Sequence, residues 1–93
     1  MDDTEARELL VSELARYRGR TYADLQRLLD TQDTFERMAP SGAKYQLEVH
    51  AVWDDRPGGN LRVMAHIDDG GWRAFVSLTD DFIVAPDRGF IGE

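Results

Sequence analysis

The spacing of apolar residues changes once along this chain, near Gln32, from steps of three and four residues to steps of two. Steps of three and four place apolar side chains on one face of a helix, whereas steps of two place them on one face of a strand. The change therefore predicts an α+β fold, in which two N-terminal helices pack on one face of a three- to five-stranded antiparallel meander sheet.

Two helices are predicted before the change. The first is capped by Asp2 or Asp3 and runs to about Arg18, and Gly19 is expected to end it in the left-handed conformation that glycine adopts readily. The second follows Thr21, a favourable N-cap residue, and runs to about Asp30. The apolar faces directed to the sheet consist of Ala6, Leu9, Leu10, Leu14 and Tyr17 in the first helix and Tyr22, Leu25, Leu28 and Leu29 in the second.

The predicted strands are segments in which apolar and polar residues alternate. Three long segments show this alternation, at residues 45–54, 61–68 and 72–79. Two shorter additions are an upstream strand at 34–39 and a downstream pairing of 82–85 with Phe90 and Ile91.

Asp69 and Gly70 have the composition of a two-residue type I′ hairpin turn between the second and third long segments. If they are the central residues of that turn, Ile67 lies opposite Trp72. Inward residues then face inward residues along both strands, as a sheet with one buried face requires.

Size and composition limit the function of the chain. With 93 residues, of which 42% are apolar, it can form one hydrophobic core, and we expect a single α+β domain over residues 1–93. It contains no cysteine, which excludes disulfides, thiolate nucleophiles and zinc–cysteine or iron–sulfur centres. No nucleophile motif or cofactor fingerprint is present, so no cofactor is expected.

Charge limits the partners. The chain has 18 acidic and 11 basic side chains, for a formal net charge of −7. This charge repels the phosphates of nucleic acids and of anionic membranes, so neither is expected as a partner. The N-terminal residues lack the basic start and apolar run of a signal peptide, and no window is apolar enough to span a membrane. We therefore expect a cytoplasmic protein.

Aspartate pairs stand at the ends of the three long predicted strands. Asp68 and Asp69 lie at one edge of the sheet, and the other edge holds Asp54, Asp55, Asp80 and Asp81, with Asn60 nearby. In an antiparallel meander the ends of the first and third long strands lie at the same edge of the sheet, so these four carboxylates would converge. Calcium is bound by such oxygen ligands. Aspartate is also a common turn residue and no EF-hand spacing is present, so turn aspartates are the favoured interpretation and a divalent-metal site is the alternative.

Titratable side chains lie on the outward face of the predicted sheet. Glu48, His66 and Arg73 form a cross-strand row, and His50 lies beside it. These groups could support acid–base chemistry or hold a metal if a pocket surrounded them, and otherwise they form cross-strand pairs on a solvated surface. The solvated surface is the favoured interpretation, because nothing in the sequence shows a pocket.

Three large apolar residues, Val52, Met64 and Phe75, are predicted on the same outward face. The predicted register sets Met64 opposite Phe75, and the wider loop brings Val52 close to Arg62. A sheet with helices on one side normally turns a polar face to water. These residues therefore predict a surface covered by a protein partner, by a second copy of the chain or by its own C-terminal segment.

The predicted function is that of a small cytoplasmic accessory or interaction domain, which binds a protein partner or self-associates through its sheet face or edge. The alternative is a small enzyme or divalent-metal-binding domain that uses the titratable face or the aspartate edge. The absence of a nucleophile motif and of a cofactor fingerprint favours the first.

Overall fold

The computed structural model describes residues 2–69, 78–87 and 90–92 of the chain. The helices are α1 (Asp3–Arg18) and α2 (Tyr22–Gln26), and a 3₁₀ turn (Arg27–Leu29) extends α2. The strands are β1 (Asp33–Met38), β2 (Lys44–Trp53), β3 (Leu61–Asp68), β4 (Leu78–Val84) and β5 (Phe90–Gly92). They form one antiparallel sheet in chain order, with both helices N-terminal to it, which confirms the predicted fold class. No helix among the described residues is long and apolar enough to cross a membrane.

Local hydrogen bonds begin and end α1. Asp2 caps the N-terminus, because its carboxylate accepts a hydrogen bond of 3.1 Å from the backbone N–H of Glu5. The predicted left-handed conformation of Gly19 is wrong, since its φ is −80°. The chain closes a tight right-handed turn, in which the N–H of Arg20 bonds to the Tyr17 carbonyl at 3.0 Å, so no left-handed residue is needed.

Helix α2 is short and is held by contacts at its first turn. The Thr21 hydroxyl accepts a hydrogen bond of 3.0 Å from the N–H of Asp24, which confirms the predicted cap. The Tyr22 hydroxyl donates a hydrogen bond of 2.6 Å to the carbonyl of Gly59, in the loop between β2 and β3. These contacts fix α2 against one end of the sheet.

The chain stays helical until shortly before β1. The N–H groups of Asp30 and Thr31 both bond to the carbonyl of Arg27, at 3.2 and 3.1 Å. A residue in a helical turn cannot also pair as a strand, because its backbone follows different dihedral angles. The first residue of β1 is therefore Asp33.

The pairing of β3 with β4 differs from the predicted register. Ile67 lies between Leu47 on β2 and Leu78 on β4, so the prediction that Trp72 lies opposite it is wrong. Leu78 and Trp72 are an even number of positions apart, and either residue opposite Ile67 keeps inward residues facing one another. Parity could not distinguish the two registers. Residues 70–77, which include most of the predicted third strand, lie outside the described residues.

The core lies between the helices and the inward face of the sheet. Leu10 and Leu14 of α1 and Leu25 of α2 are fully buried. The inward residues of the strands face them and are also fully buried: Tyr45, Leu47, Val49, Leu61, Val63, Ala65, Ile67, Phe82 and Val84. Burial of each leucine-sized side chain stabilises the fold by roughly 1.5–3 kcal/mol. These contacts hold the helices on the sheet.

Polar contacts join α1, α2 and β1 where they meet. The Tyr17 hydroxyl donates a hydrogen bond of 2.6 Å to the Asp33 carboxylate. Burial of the phenol, together with this bond, raises the pKa of Tyr17 above its ordinary value. The Arg20 guanidinium lies 3.9 Å from Asp33 and 3.7 Å from Asp24, and it covers the Tyr17 ring at 4.2 Å. This network fixes α2 relative to the first strand.

Candidate functional site

The titratable row on the outward face is only partly as predicted. Glu48 lies opposite His66 on β3, as expected. The position opposite His66 on β4 belongs to Thr79, so the prediction of Arg73 at that place is wrong. Arg73 itself lies outside the described residues. This prediction and the predicted register of β3 with the next strand fail for the same reason. The strand that pairs with β3 begins at Leu78 and not at Trp72.

His50 and His66 stack on one another. Their ring centroids are 5.3 Å apart and the ring planes differ by 6°. The lone pairs of an imidazole lie in the plane of its ring, so two stacked rings do not direct nitrogens at one shared ion. The carboxylate of Glu48, the nearest predicted partner, accepts a hydrogen bond of 3.1 Å from Gln32. Among the described residues, no group of three or more histidines and carboxylates is arranged to hold a metal ion.

Two of the four predicted edge aspartates do converge, on an arginine. The Arg62 guanidinium donates hydrogen bonds of 2.9 Å to Asp81 and of 2.8 and 3.1 Å to Asp54. These bonds raise the pKa of Arg62 above its ordinary value. The space that a cation would share with the two carboxylates is therefore occupied by a cation of the chain itself.

The other two aspartates do not join them. Asp55 accepts hydrogen bonds from the N–H groups of Arg56 at 2.7 Å and of Asn60 at 2.8 Å, and these bonds lower its pKa. Asp80 has the strand parity of the buried Phe82, so it lies on the face toward the helices, opposite to that of Asp81. The prediction that all four converge is wrong, because Asp80 and Asp81 lie inside β4 instead of after a strand end.

An apolar group surrounds Arg62 on the outward face. Val52 on β2 and Ile83 on β4 lie on either side of Arg62, and Met64 is the next outward residue along β3. Val52 is 41% exposed, and the side chains of Met64 and Ile83 are half-buried. We call these four residues the Arg62 patch.

The composition of the Arg62 patch confirms one prediction and corrects another. Val52 lies opposite Arg62, as expected. The residue opposite Met64 on β4 is Asp81, so the prediction of Phe75 at that position is wrong, and Phe75 lies outside the described residues. Ile83 was missed because the third strand was placed at 72–79. The alternation of outward Thr79 and Asp81 with inward Phe82 could have identified it.

Beside the Arg62 patch, the last residues of β2 have no neighbouring strand on one side among the described residues. The pairing of β1 with β2 begins at Asp33 opposite Val49, whereas β2 continues to Trp53. The N–H of Asp54 bonds to the Asn60 carbonyl at 2.8 Å, on the side of β3. Since backbone groups alternate in direction along a strand, those of Ala51 and Trp53 point away from β3. No described residue hydrogen-bonds to these groups on that side.

A groove lies between this open edge and the second helix. Its volume is about 730 Å³, and a neighbouring hollow of about 460 Å³ continues it toward His50. We call the two together the β2 groove. Its lining residues are Ala23, Gln26, Arg27, Leu28, Leu29, Asp30, Gln32, His50, Ala51, Val52 and Trp53.

The two charged residues of the β2 groove differ in their contacts. Arg27 donates a hydrogen bond of 3.1 Å to Asp24 and is neutralised by it. The carboxylate of Asp30 is exposed and makes no hydrogen bond or ion pair with any described residue. The groove therefore presents one uncompensated negative charge near the open edge.

Comparisons of the chain with protein-family models, with curated proteins and with solved structures find no match. The geometry of the Arg62 patch and of the β2 groove is therefore the basis for assigning a function.

Proposed function

We propose that the chain is a protein-interaction domain that binds through the Arg62 patch. The observation that carries this proposal is the exposure of Val52, a large apolar residue that is 41% exposed in the part of β2 beyond its pairing with β1, where no described strand lies alongside. Met64 and Ile83 extend the apolar surface around Arg62. Clustered apolar side chains on a sheet face that otherwise faces water mark contact surfaces for other proteins.

The state of Arg62 supports this function. Arginine is enriched among the residues that contribute most to protein interfaces, and it contributes best when its geometry is fixed before binding. Hydrogen bonds to Asp54 and Asp81 hold the guanidinium in one orientation, and the two carboxylates more than compensate its charge. Little side-chain entropy would be lost on binding, because the side chain is already ordered.

The charge of the chain favours a different protein over a second copy. Each copy carries a formal net charge of −7, so two copies repel one another. A partner with basic groups is attracted instead. The alternative of an enzyme or metal site has less support, since His50 and His66 stack on each other and Glu48 is bonded to Gln32.

Site-specific photo-cross-linking tests this proposal. A benzophenone amino acid replaces Val52 in the chain expressed in its own cells, and a control chain carries it at Met38, which is 63% exposed at the far end of the sheet. We expect a discrete adduct from position 52 that is absent from position 38. The mass of the adduct separates a heterologous partner from a second copy. The proposal would be contradicted if position 52 gave no adduct, or if positions 52 and 38 gave the same adducts.

A further inference from the structure

The open edge of β2 consists of backbone groups that no described residue pairs, in a place with little access to water. Ala51 lines the β2 groove and is only 4% exposed, so its N–H and C=O groups, which point away from β3, have little contact with water. Backbone polar groups that are withdrawn from water without a hydrogen bond are costly. A ligand that offers alternating donors and acceptors along one line would satisfy them, and an extended polypeptide has that chemistry.

This edge also lacks the features by which proteins protect exposed strands. Charged residues on an edge strand oppose the addition of another strand. The edge strand β1 carries Asp33, Glu36 and Arg37 among its six residues. The unpaired stretch from Ala51 to Trp53 is uncharged and apolar. A strand can therefore add beside β2 here without meeting a charged side chain of the edge itself.

The walls of the β2 groove are held in place before any ligand binds. Tyr22 bonds to Gly59 at the start of α2, and Arg20 contacts Asp24 in α2 and Asp33 at the start of β1. Binding to a preformed groove avoids the cost of ordering it. The groove is therefore suited to a segment that itself becomes ordered on binding.

A second copy of the chain fits this edge poorly. Two β2 strands paired antiparallel about Val52 would set Ala51 opposite Trp53 of the other copy. Residue 55 of the copy would then fall beside Val49, where Asp33 of β1 already lies. The steric conflict adds to the repulsion between two chains of charge −7. The unpaired carboxylate of Asp30 favours a basic residue in the occupant instead.

We infer that the β2 groove binds an extended segment of another protein, which adds as a strand beside Ala51–Trp53 and places a lysine or arginine near Asp30. This inference rests on the proposed interaction function and specifies its mode. Trp53 and Leu29 contact the apolar side chains of the segment on the helix side, and Val52 contacts them on the outward side.

The test uses peptides selected from a random displayed library on the folded 93-residue chain. Amide hydrogen exchange of the chain is followed by NMR with and without a selected peptide. We expect the exchange of the Ala51 and Trp53 amides to slow by at least about tenfold, because the added strand bonds to them. The amides of His50 and Val52 are the internal control, since they already face β3 and should change little.

Variants of peptide and protein complete the test. A peptide N-methylated at alternate residues, on the edge that faces β2, should bind at least about tenfold more weakly, because it cannot donate to the edge. Val52→Asp should reduce affinity by a similar factor, whereas Met38→Asp, the matched exposed control, should not. Asp30→Asn should weaken basic peptides selectively.

Two sets of results would overturn the inference. One is that the library yields no binding peptide. The other is that selected peptides bind without slowing exchange at Ala51 and Trp53, or bind equally well after N-methylation. Either result, together with a partner adduct at position 52, would leave the interaction function standing and reject strand addition. The loss of both the adduct and the peptides would reject both proposals.

Discussion

Tyr22 and Gly59, which are 37 residues apart in sequence, are joined by a hydrogen bond of 2.6 Å from the phenol to the backbone carbonyl. The bond connects α2, which is one wall of the β2 groove, to the loop that follows the floor of the groove. Gly59 is buried, so its carbonyl would lose a partner that water does not easily replace. The bond links the stability of the fold to the shape of the site.

Removal of the Tyr22 hydroxyl tests whether this hydrogen bond stabilises the fold. We expect Tyr22→Phe to lower the free energy of unfolding by about 1–2 kcal/mol, because a buried acceptor is left unpaired. Urea denaturation followed by circular dichroism measures the change. Val11→Ala, at an exposed position on α1, is the control and should change stability by less than about 0.5 kcal/mol. Equal stability of Tyr22→Phe and the parent would show that the bond contributes nothing.

The β2–β3 loop should not tolerate a side chain at Gly59. A Cβ there would lie 2.5 Å from Oδ1 of Asp55, which is held by two backbone N–H groups. We expect Gly59→Ala to destabilise the fold by about 1–2 kcal/mol, because Asp55 must give up those bonds to move.

Two further variants make this prediction specific. At Gly19 a Cβ would meet only the Arg16 carbonyl, at 3.6 Å, and φ is negative. Gly19→Ala should therefore be neutral or slightly stabilising. In an Asp55→Ala background, the cost of Gly59→Ala should shrink. An undiminished cost in that double variant would mean that the contact with Asp55 is not the cause.

Stability should fall at alkaline pH because of Tyr17. Burial and the bond to Asp33 raise its folded-state pKa above the ordinary value of 10.0. The unfolded chain therefore loses this proton first, so the stabilisation is complete below about pH 10 and is lost as the pH rises through the interval up to the folded-state pKa. Each such proton contributes a slope of up to about 1.4 kcal/mol per pH unit. Tyr17→Phe should have a shallower alkaline slope in urea denaturation, and an unchanged slope would contradict the assignment.

Divalent cations should not bind at Asp54 and Asp81, because Arg62 already bonds to both carboxylates. Millimolar calcium should therefore leave the melting temperature of the parent unchanged. Arg62→Gln should lower the melting temperature only slightly, since the ion pairs are partly exposed, although the two carboxylates are left to repel each other. A calcium-dependent rise in the parent that disappears when Asp54 and Asp81 are both changed to asparagine would restore the metal interpretation.

The helices and most inward residues could be predicted from periodicity alone. Leu10 on α1 and Leu47 on β2 are both fully buried, and each was assigned to an inward face from its spacing. Burial of apolar side chains determines both the sequence pattern and the packing, so the pattern is informative. The same logic placed Glu48 opposite His66 and Val52 opposite Arg62 correctly.

The candidate site could be predicted only in part. Parity left two registers open for the strand after β3, and the favourable turn residues Asp69 and Gly70 selected the wrong one. Ile83 was therefore missed, and Phe75 and Arg73 were assigned to positions held by Asp81 and Thr79. The open edge of β2 has no side-chain signature, because it depends on where β1 begins.

The pairing of β1 with β2 stops at Val49 because the residues before Asp33 are in a helical turn. In that turn the N–H groups of Asp30 and Thr31 bond to the Arg27 carbonyl. The proposed docking edge depends in this way on the path of the main chain, so most substitutions within β2 should leave its backbone groups available. Insertions or deletions in the connection before Asp33 act differently. A change that allowed Thr31 to pair with Ala51 would extend β1 over the groove floor and abolish docking, while the core and every side chain of the Arg62 patch stayed as they are.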